Sequence, residues 1–459
     1  MEILDELLKS FSDLAWGLPL LILLIGGGLY LLILSRFLPF RYIGHALQIL
    51  RGKYDDPNDP GEISHFKALT TALSSTIGMG NIAGVALAIS VGGPGAVFWM
   101  WMSAIVGMST KFFTSTLAVM YRGKDTNGAL QGGPMYFIRE GLGKAWMPLA
   151  ILFSVSGLLG ALPVVNVNQL TQAINDIILE PNGVTVGLTS NLIIAFVLVV
   201  LTSVIILGGL KRISDTASKM VPSMVALYFV LVLIILAAHI EEVPKYITII
   251  FTDAFAAENY KGDPFFGGVL GALVLLGIRR GAFSNEAGIG TAPMAHGAAK
   301  TDEPVREGLV AMLGPAIDTL IICTLTALAI LVTGVWQTTN DNGVSLTASA
   351  FNEVMPGYGQ YLLMICVFVF SVSSLFSYSY YGTKCMSFLF GAHRKQYYNY
   401  FYIISIVLAA TTPFSMMINF IDGVFALMAI PTMIATIIMA PRVVKEIKSY
   451  LKRIKKPHS

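Results

Sequence analysis

Apolar residues in this chain come in long unbroken runs, separated by short polar or charged stretches. Runs of 18 or more recur from one end to the other, and each is long enough to cross a hydrocarbon core as a helix. Membrane barrels instead alternate apolar and polar positions over segments of about ten residues, and these runs do not alternate. The pattern predicts an all-α polytopic membrane protein of eleven transmembrane helices. They fall at residues 18–36, 64–91, 95–121, 146–176, 190–208, 219–239, 267–298, 308–334, 359–390, 398–416 and 421–440.

A second regularity lies inside the apolar pattern. "GNIAGVA" begins at Gly80 and "SNEAGIG" at Ser284, 204 residues later. With the first span (18–36) set aside as an accessory helix, ten spans divide into two units of five, at 64–239 and 267–440. An odd number per unit inserts the second upside down relative to the first, and each phrase sits in the first helix of its unit. Glycine-interrupted segments at matching positions of two halves point to a transport site. "STIGMGN" puts Gly78 and Gly80 in mid-span; "GIRRGAFSN" puts Gly277 and Gly281 there, with Arg279 and Arg280 between them. Each glycine weakens a helix by about 1 kcal/mol relative to alanine. A helix that opens in a dry environment exposes N–H and C=O groups that need partners. A cation satisfies carbonyls, and a carboxylate satisfies the N–H groups at a half-helix start. Asn81 and Asn285 follow the expected breaks and are expected to cap what comes next. A lone Gly-x-Gly reads more readily as close helix packing; its repetition in both halves favours a site for a zwitterion and a cation.

Charge then fixes the orientation. Only 12% of residues are charged, against about 25% in soluble proteins. With the N-terminus outside, 23 lysines and arginines fall in the inner loops and tail, and three, Lys9, Lys245 and Lys261, fall outside. That asymmetry predicts a cytoplasmic C-terminus in a multi-pass cell-membrane protein. The acidic start (Glu2, Asp5, Glu6, Asp13) does not suit a cleaved signal peptide. The basic tail, 441–459, reads as an anchor on anionic lipid, and the 37–63 loop as a turn-rich cytoplasmic linker. Cys323, Cys366 and Cys385 all fall within spans, so no disulfide is expected. The chain carries no HExxH or GxSxG, and its loops are too short for a catalytic domain, so it does not read as an enzyme. No cofactor and no nucleic-acid partner are expected.

Three blocks, "STIGMGNIAGVALAISVGGPGAVFWMW", "LQGGPMYFI" and "GIRRGAFSNEAGIGTAPMAHGAA", resemble the alanine/glycine:cation symporter family, the sodium–alanine symporters, and the resemblance covers essentially the whole chain. It implies a LeuT-type five-plus-five inverted repeat and sodium-coupled uptake of alanine or glycine by alternating access. Carried onto this sequence, it implies that the N–H groups of Met79 and Gly80 hold a substrate carboxylate and that the Thr76 carbonyl receives the amine. Gly78 and Asn81 complete that stretch. The carbonyls of Ser74 and Ile77, with Ser373 and Ser374, would hold sodium. Gly281, Ala282, Phe283 and Ser284 would form the opposite wall. The aromatic hydroxyl usual on the third core helix has no counterpart here; Gln169 or Asn166 could replace it by hydrogen bonding, and both read equally as helix–helix contacts.

Intramembrane charges need an account. Arg279 and Arg280 are expected to pair with Glu286 or Asp318 in a structural network, in preference to binding the substrate carboxylate directly. Lys111 and Lys384 are expected to snorkel, and His296 to be structural. A backbone-built site need not fix the direction of a methyl group, so both enantiomers of alanine are expected to fit. The alternatives are proton coupling through a carboxylate such as Asp318, another small zwitterion on the same fold, and, further off, a channel.

Overall fold

The computed structural model describes residues 2–262, 268–339 and 341–455. The first residue of the expected 267–298 span, and the last four of the tail, lie outside that set. Among the described residues, seven helices are long and apolar enough to cross a membrane, or nine when each of two bent pairs is taken as one span. The bent pairs are α1 (Glu2–Ala15) with α2 (Leu18–Leu34), at 46°, and α3 (His65–Thr76) with α4 (Gly80–Gly92), at 55°. The others are α5 (Gly95–Met120), α6 (Lys144–Asn182), α7 (Leu188–Ile206), α8 (Gly209–Ala238), α11 (Pro304–Val332), α12 (Gly359–Phe390) and α14 (Phe414–Lys455). Two further expected spans are helical but fall short of that test. One is α9 (Gly268–Asn285) with the short α10 (Ala292–His296), and the other is α13 (Lys395–Thr411). Arg279 and Arg280 interrupt the apolarity of α9, and α13 has only 17 residues.

The pattern of exposure fits a lipid solvent. Ile193, Phe196, Val197 and Val204 of α7 are bare, while Ile194, Ala195, Leu198 and Thr202 on its other face are buried. α3 packs against both α8 and α12, α9 lies along α5, and α14 lies against α1 and α6. The pattern of apolar runs did not anticipate three helices, Ile43–Leu50, Glu242–Ala256 and Gly343–Val354. The first lies inside the expected linker. The expected tail is also a continuation of α14 as far as Lys455. The only sheet among the described residues is an antiparallel pair, Gly123–Lys124 with Leu130–Gln131, in which Gly123 faces Gln131.

The two glycine phrases break their helices differently. After Thr76 the chain leaves the helix at Ile77 (ψ 90°) and resumes at Gly80. α9, by contrast, runs straight through "GIRRGAFSN" and stops only at Asn285. Glu286, Gly288 and Gly290 then adopt positive φ, the left-handed backbone that ends a helix. Arg279 and Arg280 are therefore helical, not part of the break.

Candidate functional site

Two backbone N–H groups at the first break, those of Gly78 and Met79, are met by side chains. Asn81 does not cap from outside; from within α4 its Oδ1 reaches back to accept the Gly78 N–H at 2.9 Å. The Met79 N–H donates to Asn166 Oδ1 at 3.4 Å, a long bond. Gly78 is closely packed by its neighbours. A Cβ there would lie 2.7 Å from Ser374 Oγ and 3.1 Å from Asn166 Oδ1. Asn166, rather than Gln169, is thus the side chain of α6 that reaches the break.

A small pocket opens here, lined by Ser75, Thr76, Gly78, Met79 and Gly80 of the broken helix and by Gly160, Val165, Asn166, Phe283, Tyr378, Ile421 and Phe425 across from it. Met79, Gly80, Val165 and Phe283 also border a larger vestibule of about 320 Å³, which Gln169, Arg280, Asn342 and Asn419 help to line. Gln169 stands in this vestibule, with its amide donated to Gln172 at 3.0 Å. Phe283 separates the two spaces, with its ring 5.7 Å from that of Phe425 and the Arg280 guanidinium 5.4 Å above it. Gly281 is not on the wall. A Cβ there would strike Ser103 and Met100 of α5, so this glycine serves helix packing. Ala282 belongs to a cluster with Trp16, Leu20 and Met433, also away from the pocket.

Oxygens converge on the other side of the break. The Ser74 hydroxyl donates to the Ser373 carbonyl at 2.7 Å. Ser373 and Ser374 both donate to the Phe370 carbonyl, at 2.9 and 3.0 Å. The structure thus brings Ser74, Ser373 and Ser374 together and adds the Phe370 carbonyl. Hydroxyls and carbonyls are the ligands a hard cation prefers.

The buried charges pair differently from expectation. Arg279 and Arg280 do not meet Glu286 or Asp318; both pair with Asp422 of α14, at 2.7 and 2.5 Å. Arg279 also contacts Ser12 and, at 3.3 Å, Asp13. The reason is helical phase: both arginines precede the break by more than a turn and point toward α1 and α14. Asp422 lies inside the last expected span, 421–440, and is not among the expected partners. Asp318 instead accepts from Asn81 Nδ2 at 2.6 Å and from Ser284 and Thr319 at 2.8 Å. It thereby ties the first break to α9. Glu286 accepts from Thr291 and from Tyr378, and Tyr378 lines the pocket. Asn285 does not cap α10; its Oδ1 accepts the N–H of Ala287, two residues on, at 3.0 Å. Lys111 and Lys384 do not snorkel, because their helix faces are packed by protein. Lys111 is 2% exposed and acts electrostatically on Glu286 and Asp318. Lys384 donates to the carbonyls of Gly132 and Met294.

The Sodium:alanine symporter family matches residues 1–459. The chain belongs to that family. It is 38% identical to the sodium/alanine symporter AgcS of Methanococcus maripaludis, over 97% of each chain. It is 39% identical to an uncharacterized transporter of Haemophilus influenzae, over 99% of this chain and 98% of that one. The fold is similar to that of MhsT, solved in complex with L-phenylalanine. The TM-score is 0.60 at 15% identity, over 84% of this chain and 98% of MhsT. This family member is a transporter and not an enzyme, a multi-pass membrane protein with LeuT-like architecture.

Proposed function

We propose that the protein imports small neutral amino acids, alanine and glycine, by sodium-coupled symport with alternating access. The observation that carries this is the small pocket at the first break. It offers the N–H groups of Met79 and Gly80 at one end and glycine on two sides, so it fits a zwitterion with little side chain. The substrate carboxylate takes the Met79 and Gly80 N–H groups, displacing the long bond to Asn166, and the Thr76 carbonyl takes the ammonium. Sodium binds beside it among the carbonyls of Ser74, Ile77 and Phe370 and the hydroxyls of Ser373 and Ser374. Ion and substrate each favour the same arrangement of the break, so each raises the other's affinity by the same factor.

In this reading all eleven expected spans cross the membrane, α9 with α10 and α13 included. The ten core spans form a five-plus-five inverted repeat, the N-terminus is outside, and the vestibule opens outward. What supports it is the family, the likeness to MhsT, and the placement of both broken helices at the first position of each half. Family relatives named for sodium and alanine support the choice of ion and substrate.

A second reading has one specific support. Asp318 bonds Asn81, Ser284 and Thr319 in one buried cluster, and a proton on that carboxylate would serve as a coupling ion in place of sodium. Radiolabelled alanine uptake into liposomes holding the purified protein separates the two. Uptake under an inward sodium gradient, with Ser374→Ala raising the sodium needed for half-maximal rate at least tenfold, is the expected result. Accumulation driven by a proton gradient alone, and lost in Asp318→Asn, would replace sodium with protons. No gradient-driven accumulation at all would send the function to a different zwitterion.

A further inference from the structure

The second charged cluster lies far from the pocket, where α3 begins. Glu307 of α11 is completely buried, and so, nearly, are the two imidazoles that flank it. His65, the first residue of α3, gives Nδ1 to one oxygen; His296, the last of α10, gives Nδ1 to the other at 2.5 Å. One carboxylate therefore joins the inner ends of both broken helices. Backbone pairing reinforces the join. The N–H groups of Glu62 and Ile63 donate to the Ala298 carbonyl, Lys300 N–H to Ile63, and Thr301 N–H to Pro60. The Arg122 guanidinium closes the seam by donating to the carbonyls of Pro60, Gly297, Ala299 and Thr301. Gly61 lets the strands approach, since a Cβ there would lie 2.3 Å from the Ala299 carbonyl oxygen.

An ionised carboxylate only accepts hydrogen bonds, so each imidazole that meets it carries its proton on Nδ1. The free position is Nε2. That of His65 faces Asp55, 4.0 Å away and half-exposed in the loop. A second proton on His65 thus sits between two carboxylates, Glu307 and Asp55. Burial opposes it most and Arg306 adds to that, and Arg122 acts on Glu307 and Asp59. Around His65 the carboxylates are the nearer charges, and the Asp55 side opens toward water, which gives a proton its route.

We propose that His65, Glu307 and His296 form a proton-binding latch on the cytoplasmic gate, which an acid cytosol holds shut. This rests on the alternating-access reading above, in which the inner half of the first broken helix swings out at Ile77 and Gly78 to release substrate. Swinging removes His65 from both carboxylates. A proton is then held more firmly in the latched arrangement than in the open one, and by linkage protons favour the latch. Turnover falls as the cytosolic side acidifies.

Hydrogen exchange of the full-length protein in nanodiscs, without sodium, tests this at the seam itself. The readout is protection of the amides of 60–66 and 296–303, corrected for the intrinsic effect of pH. We expect at least threefold more protection at pH 6 than at pH 8. His65→Gln should abolish the difference, and Asp55→Asn, at an exposed position that leaves the fold intact, should at least halve it. An unchanged pH response in both variants, or none in the parent, overturns the latch. Alanine uptake by the same preparations keeps the two readings apart. A pH-independent seam in a protein that transports sinks only the latch, and a pH-dependent seam in a protein that does not transport sinks only the symport reading.

Discussion

Gly78 is the residue on which the site turns. It lies where the chain of α3 has left the helix, and it separates two oxygens, Ser374 Oγ and Asn166 Oδ1, that a methyl group would touch. Overpacking of this kind costs about 1–3 kcal/mol, and on the proposed reading that cost falls on both the ion oxygens and the substrate pocket. Gly78→Ala should therefore weaken alanine binding, measured by scintillation proximity, at least tenfold. Gly84, six residues on in the same broken helix, has nothing within 4 Å of the place a methyl would take. Gly84→Ala should leave affinity within about twofold, since a helical glycine-to-alanine change costs the fold nothing. Equal losses in both would mean that α4 tolerates no methyl anywhere, and the special place of Gly78 would go. Asn81 is the second such residue. Its side chain holds the Gly78 N–H on one side and the Asp318 carboxylate on the other, so Asn81→Ala leaves two buried partners short. An unsatisfied buried group costs about 1–3 kcal/mol. A drop in thermal stability together with weaker alanine binding is the expected result.

Between elements, the decisive contact is the one that ties α9 to α14 and α1. Asp422 is 1% exposed at its side chain and pairs with two arginines, of which Arg280 is 6% exposed. Removing one partner of a buried pair costs about 3–5 kcal/mol. Asp422→Asn should lower the midpoint of thermal unfolding far more than Asp13→Asn, whose half-exposed carboxylate pairs with Arg279 in a contact worth about 0–1 kcal/mol. Equal, small shifts would mean that the network does not hold α9 in place. This contact also marks the limit of what the sequence shows. Runs of apolar residues are visible because a bilayer demands them, and so are the two glycine phrases, because glycine is costly in a helix. The place where α9 ends was not visible. "GIRRGAFSN" has the glycines of a break, yet Gly281 is spent on packing against Ser103, and the backbone turns only at Glu286, Gly288 and Gly290. The partner of the arginines was hidden for a related reason, since which face of α9 meets α14 depends on tertiary packing and not on spacing. Helices such as Glu242–Ala256 mix charged and apolar residues and carry no span signal at all.

For the whole molecule, the question is what size of substrate the two broken helices and α14 leave room for. The pocket has glycine at 78, 80 and 160, and α14 closes it with Ile421 and Phe425. Gly160 is itself pressed on α14, for a Cβ there would lie 2.6 Å from Met428 Sδ, so the α6 side has no slack. Ile421 is 3% exposed and lines the pocket, and on the proposed reading a longer substrate meets its side chain. One methylene in a tight apolar pocket is worth about 1–3 kcal/mol of discrimination, enough to separate alanine from its higher homologues by roughly ten- to two-hundredfold per carbon. Ile421→Ala removes three carbons from that wall without touching the Met79 and Gly80 N–H groups or the ion oxygens. On the proposed reading, the variant should take up leucine or methionine at least tenfold better relative to alanine. Its sodium dependence should stay unchanged. Competition of unlabelled amino acids against labelled alanine measures both at once. An unaltered preference would show that substrate side chains point elsewhere, toward Phe283 and the vestibule, and that the limit on size is set at that aromatic rather than by α14.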